Sequence, residues 1–100
     1  MEVTITKENG KTLVSLAGRV DTTNAEKFQQ DIKPLMEDTN PDIVMDCTNM
    51  EYTSSLGLRM FLMLQKSVMS KGGSLVLTKM QPQVKEVFDI TGFSNIIKIQ

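Results

Sequence analysis

Thr53, Ser54 and Ser55 stand in a row just ahead of a helical apolar pattern, and they are the residues of this chain best placed for chemistry. A hydroxyl at the start of a helix accepts a hydrogen bond from the unpaired amides of the first turn. An exposed hydroxyl there can instead carry a phosphoryl group. On residue types alone the trio fits a helix cap, with one of the three as the capping side chain. It does not fit a hydrolase. Ser54-Ser55-Leu56-Gly57 lacks the glycine that precedes the serine of a nucleophile elbow. The chain also has no histidine, which removes the usual neutral-pH base, the Ser-His-Asp triad and the commonest metal ligand together. Cys47 is the only cysteine; it cannot form an internal disulfide, has no base to activate it, and reads as a small buried side chain. No Walker-type phosphate loop is present. No catalytic residue, metal ligand or cofactor is expected.

The elements that position the serines follow from periodicity. Val3, Ile5, Val14 and Leu16 alternate with polar residues around Asn9-Gly10, a strong signal for a type I′ hairpin. That turn sets Glu8 opposite Lys11, Ile5 opposite Val14 and Val3 opposite Leu16. Thr23-Asn24-Ala25-Glu26 matches a capping box, and Ala25, Phe28, Ile32, Leu35 and Met36 form the stripe of a first helix, which Pro34 should kink or end early. Ile43 to Met45 reads as a short strand, followed by a polar loop through Met50. Leu58, Phe61, Leu62, Gln65, Val68 and Met69 give the stripe of a second helix, with Lys71-Gly72-Gly73 as its stop. Ser74 to Thr78 is a further strand. Pro82 opens a third helix with Val84, Val87 and Phe88 inward and Gly92-Phe93 as its terminator, and Ile96, Ile97 and Ile99 offer a last strand.

The expected fold is therefore a single α/β domain over residues 1–100: one mixed, mostly parallel sheet with an N-terminal antiparallel hairpin and about three helices. In such a sheet the strand-to-helix turn that carries the serines is where functional groups are displayed. Asp21 and Asp46, near strand ends, are candidates for an acidic rim around them, or for plain loop capping. Forty per cent apolar residues support a modest core in one hundred residues. A formal net charge of −1, with both signs interspersed, gives no basic footprint for nucleic acid or an anionic membrane. The N-terminus lacks a signal-peptide pattern and the apolar runs are too short to span a bilayer, so a cytoplasmic protein without direct membrane insertion is expected. A response-regulator receiver needs a longer chain, an acidic pair after the first strand and a late lysine, and does not fit. Most of the eight methionines read as core filler; Met50, in the loop before the serines, is the one expected at an interface.

These residues together resemble the STAS domain of sulphate transporters and anti-sigma factor antagonists, in particular its stand-alone bacterial members. The resemblance rests on Gly18-Arg19-Val20-Asp21, Val44-Met45-Asp46, Tyr52 to Arg59, Gly72-Gly73-Ser74-Leu75 and Val84 to Gly92, five pieces in order across the chain. It implies partner switching. The unphosphorylated antagonist binds an anti-sigma factor that is also a serine kinase, which frees sigma factor. The kinase phosphorylates the antagonist two places before the motif glycine, here Ser55 with Ser54 as second choice, and a metal-dependent PP2C-type phosphatase reverses the step. The antagonist is no enzyme. Asp21, Thr22, Met50, Thr53, Ser54, Leu56 and Gly57 are the implied partner contacts. Two departures stand out: Ser54 occupies a place where many members have an acidic residue, and Leu56 a place often small or polar, so that Leu56 either joins a partner-facing patch or tucks into the helix base. The alternative is a STAS adaptor subunit of a transporter or other regulatory complex that uses the same helix face without phosphorylation.

Overall fold

In the computed structural model, which describes residues 1–100, Asn9 and Gly10 both take positive φ, 51° and 81°, as a type I′ turn requires. They join β1 (Glu2–Glu8) to β2 (Lys11–Val20). Glu8 pairs with Lys11, Ile5 with Val14 and Val3 with Leu16, the expected register. The chain continues through α1 (Ala25–Glu37), β3 (Asp42–Thr53), α2 (Ser55–Ser70), β4 (Ser74–Thr78), α3 (Pro82–Ile90), a 3₁₀ turn (Phe93–Asn95) and β5 (Lys98–Ile99). One sheet runs in the order β1-β2-β3-β4-β5, antiparallel at β1–β2 and parallel thereafter.

Burial alternates along β2 and β4 and along the first half of β3, the pattern of a sheet with one covered face. Val14, Leu16, Ile43, Met45, Leu75 and Leu77 join the inward residues of all three helices in a single core, while Leu13, Ser15, Val44, Asp46 and Val76 lie on the other face. All four phenylalanines form a continuous row through this core. Phe28 of α1 meets Phe61 of α2 at 5.3 Å between ring centroids, Phe61 meets Phe88 of α3 at 5.7 Å, and Phe88 meets Phe93 at 6.4 Å, tilted or edge-on as aromatic quadrupoles favour.

Several local expectations are revised. The capping box at Thr23 does not form: the helix starts at Ala25, and the Asn24 side chain turns back to accept from the Asp21 amide and donate to the Arg19 carbonyl. Pro34 does not end α1. It sits exposed inside the helix, which runs on to Glu37, and the Met36 carbonyl is taken by the Ser67 hydroxyl and the Lys71 ammonium of the α2 end. The buried stripe of α2 includes Met60 and Leu64, whereas Met69 is exposed and Leu62 only half-buried. Gly72 has φ 68°, and Gly72 and Gly73 return amides to Met69 and Val68, a complete Schellman stop. Ile96 lies outside β5 and is exposed, while Ile97 is buried; the Ile96 carbonyl accepts from the buried Gln65 side chain of α2 at 2.9 Å.

The largest revision is β3. It does not stop at Met45 but continues to Thr53, so the polar loop is strand. Between Asp46 and Asn49, and again between Met50 and Tyr52, β3 carries one residue more than β2. These two bulges stretch the spacing of buried residues from two (Ile43, Met45, Cys47) to three (Met50, Thr53). The carbonyl of Thr48, freed at the first bulge, accepts from Gln81. Met50 is therefore a fully buried core residue, not an interface residue.

Candidate functional site

The serine segment begins where β2 and β3 end side by side. Val20 pairs with Thr53, and the Ser54 amide donates to the Val20 carbonyl at 2.9 Å. The next residue on β2 is Asp21 and the next on β3 is Ser54, so the sheet itself brings the two predicted segments together. Ser54 has extended backbone and is the N-cap of α2: its hydroxyl accepts from the Gly57 amide at 3.2 Å, and its carbonyl accepts from Leu58. That resolves which hydroxyl caps. Thr53 is buried, its hydroxyl donating to the Ser54 carbonyl at 3.2 Å. Ser55 is the first residue of the helix, is exposed, and its hydroxyl enters no hydrogen bond within the chain. Three adjacent hydroxyls thus hold three different posts: packed, capping and free.

Gly57 explains how the helix start lies so close to the sheet. A Cβ there would stand 2.4 Å from Thr53 Oγ1 and 2.6 Å from Val20 Cγ1. Neither distance is sterically allowed, so the contact of α2 with the ends of β2 and β3 depends on glycine. Gly57 and the side chains of Thr53 and Met50 are all buried, out of a partner's reach. The predicted contacts that do face outward are Thr22, which is exposed, and Asp21, Ser54 and Leu56, which are half-buried. Leu56 packs partly against the core, so it both tucks into the helix base and shows an apolar edge.

The two acidic candidates separate. Asp21 lies beside Ser54, yet its carboxylate accepts from the Thr23 hydroxyl and amide at 2.6 and 2.9 Å. Those bonds hold its pKa below the ordinary carboxylate value and brace the β2–α1 loop. Asp46 binds Thr48 in the same manner and is likewise lowered. It stands seven residues before Thr53 on the open face, roughly 20 Å away at the strand rise of ~3.3 Å per residue. Asp46 does not belong to a rim around Ser55. What the sequence did not reveal is the bracing beneath the site: Val20, which supplies both the carbonyl for Ser54 and the wall against Gly57, and the Arg19 guanidinium 4.6 Å above the Tyr52 ring. Val20 looks like any inward strand residue, and its part shows only when the register of β2 on β3 is known.

Cys47 is fully buried. Burial, with Asp46 next to it, pushes its thiol up to about 12, which leaves it without nucleophilic character. No group of three or more histidine, cysteine or acidic side chains is gathered to hold a metal ion.

The third strand of a small one-sided sheet thus hands an exposed serine to a capped helix. The likeness to known proteins gives this arrangement its family: the STAS domain model matches residues 2–100, and the chain belongs to the STAS domain family. It is a regulatory binding protein and not an enzyme. Among its relatives, BtrV of Bordetella bronchiseptica, named as an anti-sigma factor antagonist, is 33% identical over 99% of this chain and 85% of its own length. The anti-sigma-B factor antagonist of Bacillus subtilis is 34% identical over 86% of this chain and 78% of its own. Among solved structures, the anti-sigma factor antagonist SpoIIAA in its unphosphorylated form superposes with a TM-score of 0.78, and the Bacillus cell fate determinant SpoIIAA in its phosphorylated form with 0.71. Each is 16% identical and covers 99% of this chain, and the matches take in 88% and 91% of those chains. No helix is long and apolar enough to cross a membrane.

Proposed function

We propose that this chain is an anti-sigma factor antagonist that binds an anti-sigma factor through the exposed start of α2 and the neighbouring β2–α1 loop while Ser55 is unmodified, releasing a sigma factor. In this reading the anti-sigma factor is also a serine kinase. The Ser55 hydroxyl takes the γ-phosphoryl group of a nucleoside triphosphate held by the kinase, its proton goes to a base of the kinase, and the diphosphate leaves. A PP2C-type phosphatase restores the hydroxyl by hydrolysis. The observation that carries the reading is the division of labour among the hydroxyls: Ser54 is committed to the cap, whereas Ser55 is exposed and unbonded at the first helical position.

Phosphate at Ser55 adds about −1.5 to −2 charges and three acceptor oxygens. Placed at the amino end of α2, that charge is tolerated by the helix dipole, so the fold persists and the surface changes. A partner groove shaped for a hydroxyl must then desolvate the phosphate or leave it unpaired. A coupling of ~1–3 kcal/mol changes occupancy by roughly 5–150-fold.

The test is capture from lysate of the source cells with tagged wild type, Ser55→Ala and Ser55→Asp, each captured protein identified by mass spectrometry. Wild type and Ser55→Ala are expected to retain an anti-sigma factor with a kinase fold that Ser55→Asp loses. Equal capture of one membrane complex by all three would replace partner switching with the STAS adaptor reading.

A further inference from the structure

Arg59 stands four residues after Ser55, and both are exposed on α2. Residues so spaced have Cβ atoms about 5–6 Å apart, and an anion on the amino side of a cation is the favourable order. The other two long helices already use this spacing: Lys27 pairs with Asp31 on α1 and Lys85 with Asp89 on α3. α2 differs. From Ser55 to Ser70 it carries Arg59 and Lys66 but no acidic residue, and Arg59 enters none of the salt bridges. Other charged groups towards this end of the sheet include Asp21, committed to Thr23, Arg19, stacked on Tyr52, Glu51 on the exposed side of β3, Glu26 in the first turn of α1, and, where β1 begins, Glu2 opposite Ala17 and the Met1 ammonium beside Gly18. A helix with a free cation four places after a modifiable serine lacks only the anion.

We propose that Arg59 is the positioning residue for the phosphate of phosphorylated Ser55, holding it as an i, i+4 pair along α2. The inference rests on Ser55 being the acceptor. The guanidinium fork suits two phosphate oxygens at once. Modification then does two things to the docking surface: it installs an anion, and it draws Arg59 back along the helix, withdrawing a cation that the unmodified form presents to its partner.

The experiment installs phosphoserine at position 55 by genetic-code expansion, so that no kinase is needed. The second phosphate ionisation, ordinarily near 6, is followed by ³¹P NMR at about 0.1 M salt. In wild type the midpoint is expected about 0.2–0.4 unit below that of Arg59→Gln, the size that exposed i, i+4 ion pairs provide. Arg59→Lys should recover part of the shift. Lys66→Gln removes the same charge about 16 Å from Ser55 along the helix, beyond the Debye length of ~10 Å, and should titrate like wild type. The Arg59 side-chain N–H resonance should move with the phosphate midpoint. Coincident titrations of wild type and Arg59→Gln, or an equal shift in Lys66→Gln, overturn the proposal. If Ser55 is not the natural acceptor, the lysate capture reveals it, and the phosphate titration still reports on Arg59 by itself.

Discussion

Replacing Gly57 by alanine asks whether the start of α2 is held in place by close approach to the sheet. The added Cβ would lie 2.4 Å from Thr53 Oγ1 and 2.6 Å from Val20 Cγ1. Both are short, buried side chains that cannot swing into solvent. Overpacking of this kind costs about 1–3 kcal/mol, and two such contacts place it at about 2–3. Removing glycine from a helix interior returns about 1 kcal/mol. The net loss is then about 1–2 kcal/mol, and since each kcal/mol moves Tm by about 4–8 °C in a domain of this size, Tm should fall by about 4–16 °C. Thermal and urea unfolding of Gly57→Ala, Val20→Ala and the double variant measure it. Val20→Ala alone loses a buried side chain worth about 2 kcal/mol. In the double variant the new methyl occupies part of the space vacated, so the combined loss should be smaller than the sum by about 1–2 kcal/mol. A Gly57→Ala protein as stable as wild type, or singles that simply add, would refute the argument that this contact sets the position of Ser55.

Ser54→Ala should cost about 1 kcal/mol of stability through loss of the α2 cap, while Ser55→Ala should change it by less than about 0.5 kcal/mol; equal losses in urea unfolding would show that the two hydroxyls share the cap. Cys47 should resist a thiol reagent at pH 8 until the chain unfolds. Its folded pKa of about 12 lies above the unfolded value of about 8.5, so its contribution is fully present below pH ~8.5 and is lost as pH rises towards 12. The slope is at most about 1.4 kcal/mol per pH unit. The Cys47→Ala protein should lack that slope, and matching alkaline stability profiles for the two proteins would contradict it.

The hairpin, its register and the order of elements were legible because Asn9-Gly10 and the period-two runs are local signals that tertiary packing reinforces. The second half of β3 was not. Two bulges turn the inward spacing from two to three, and Cys47-Thr48-Asn49-Met50 then has neither a strand nor a helix period, so it reads as loop and Met50 as surface. Thr23 matched a capping box by composition, but Asp21 competes for both its amide and its hydroxyl, and the helix starts one residue later than the box requires. The serine trio could be assigned to a helix start from sequence. Dividing it into packed, capping and free required knowing that Val20 holds the Ser54 amide, a contact between residues 34 apart in sequence.

Spatial order in the sheet repeats chain order, β1 to β5. Every strand pairs with the one made just before it, so no strand has to be inserted between two already joined. A chain leaving the ribosome can add strands to a single growing edge, the first through the tight Asn9-Gly10 turn and each later one through a helical crossover. The contacts that place the serine segment run between β2, β3 and the start of α2, with none from β4, α3 or β5. The exposed start of α2 is thus framed by the first half of the chain alone, while β4, α3 and β5 contribute to the core.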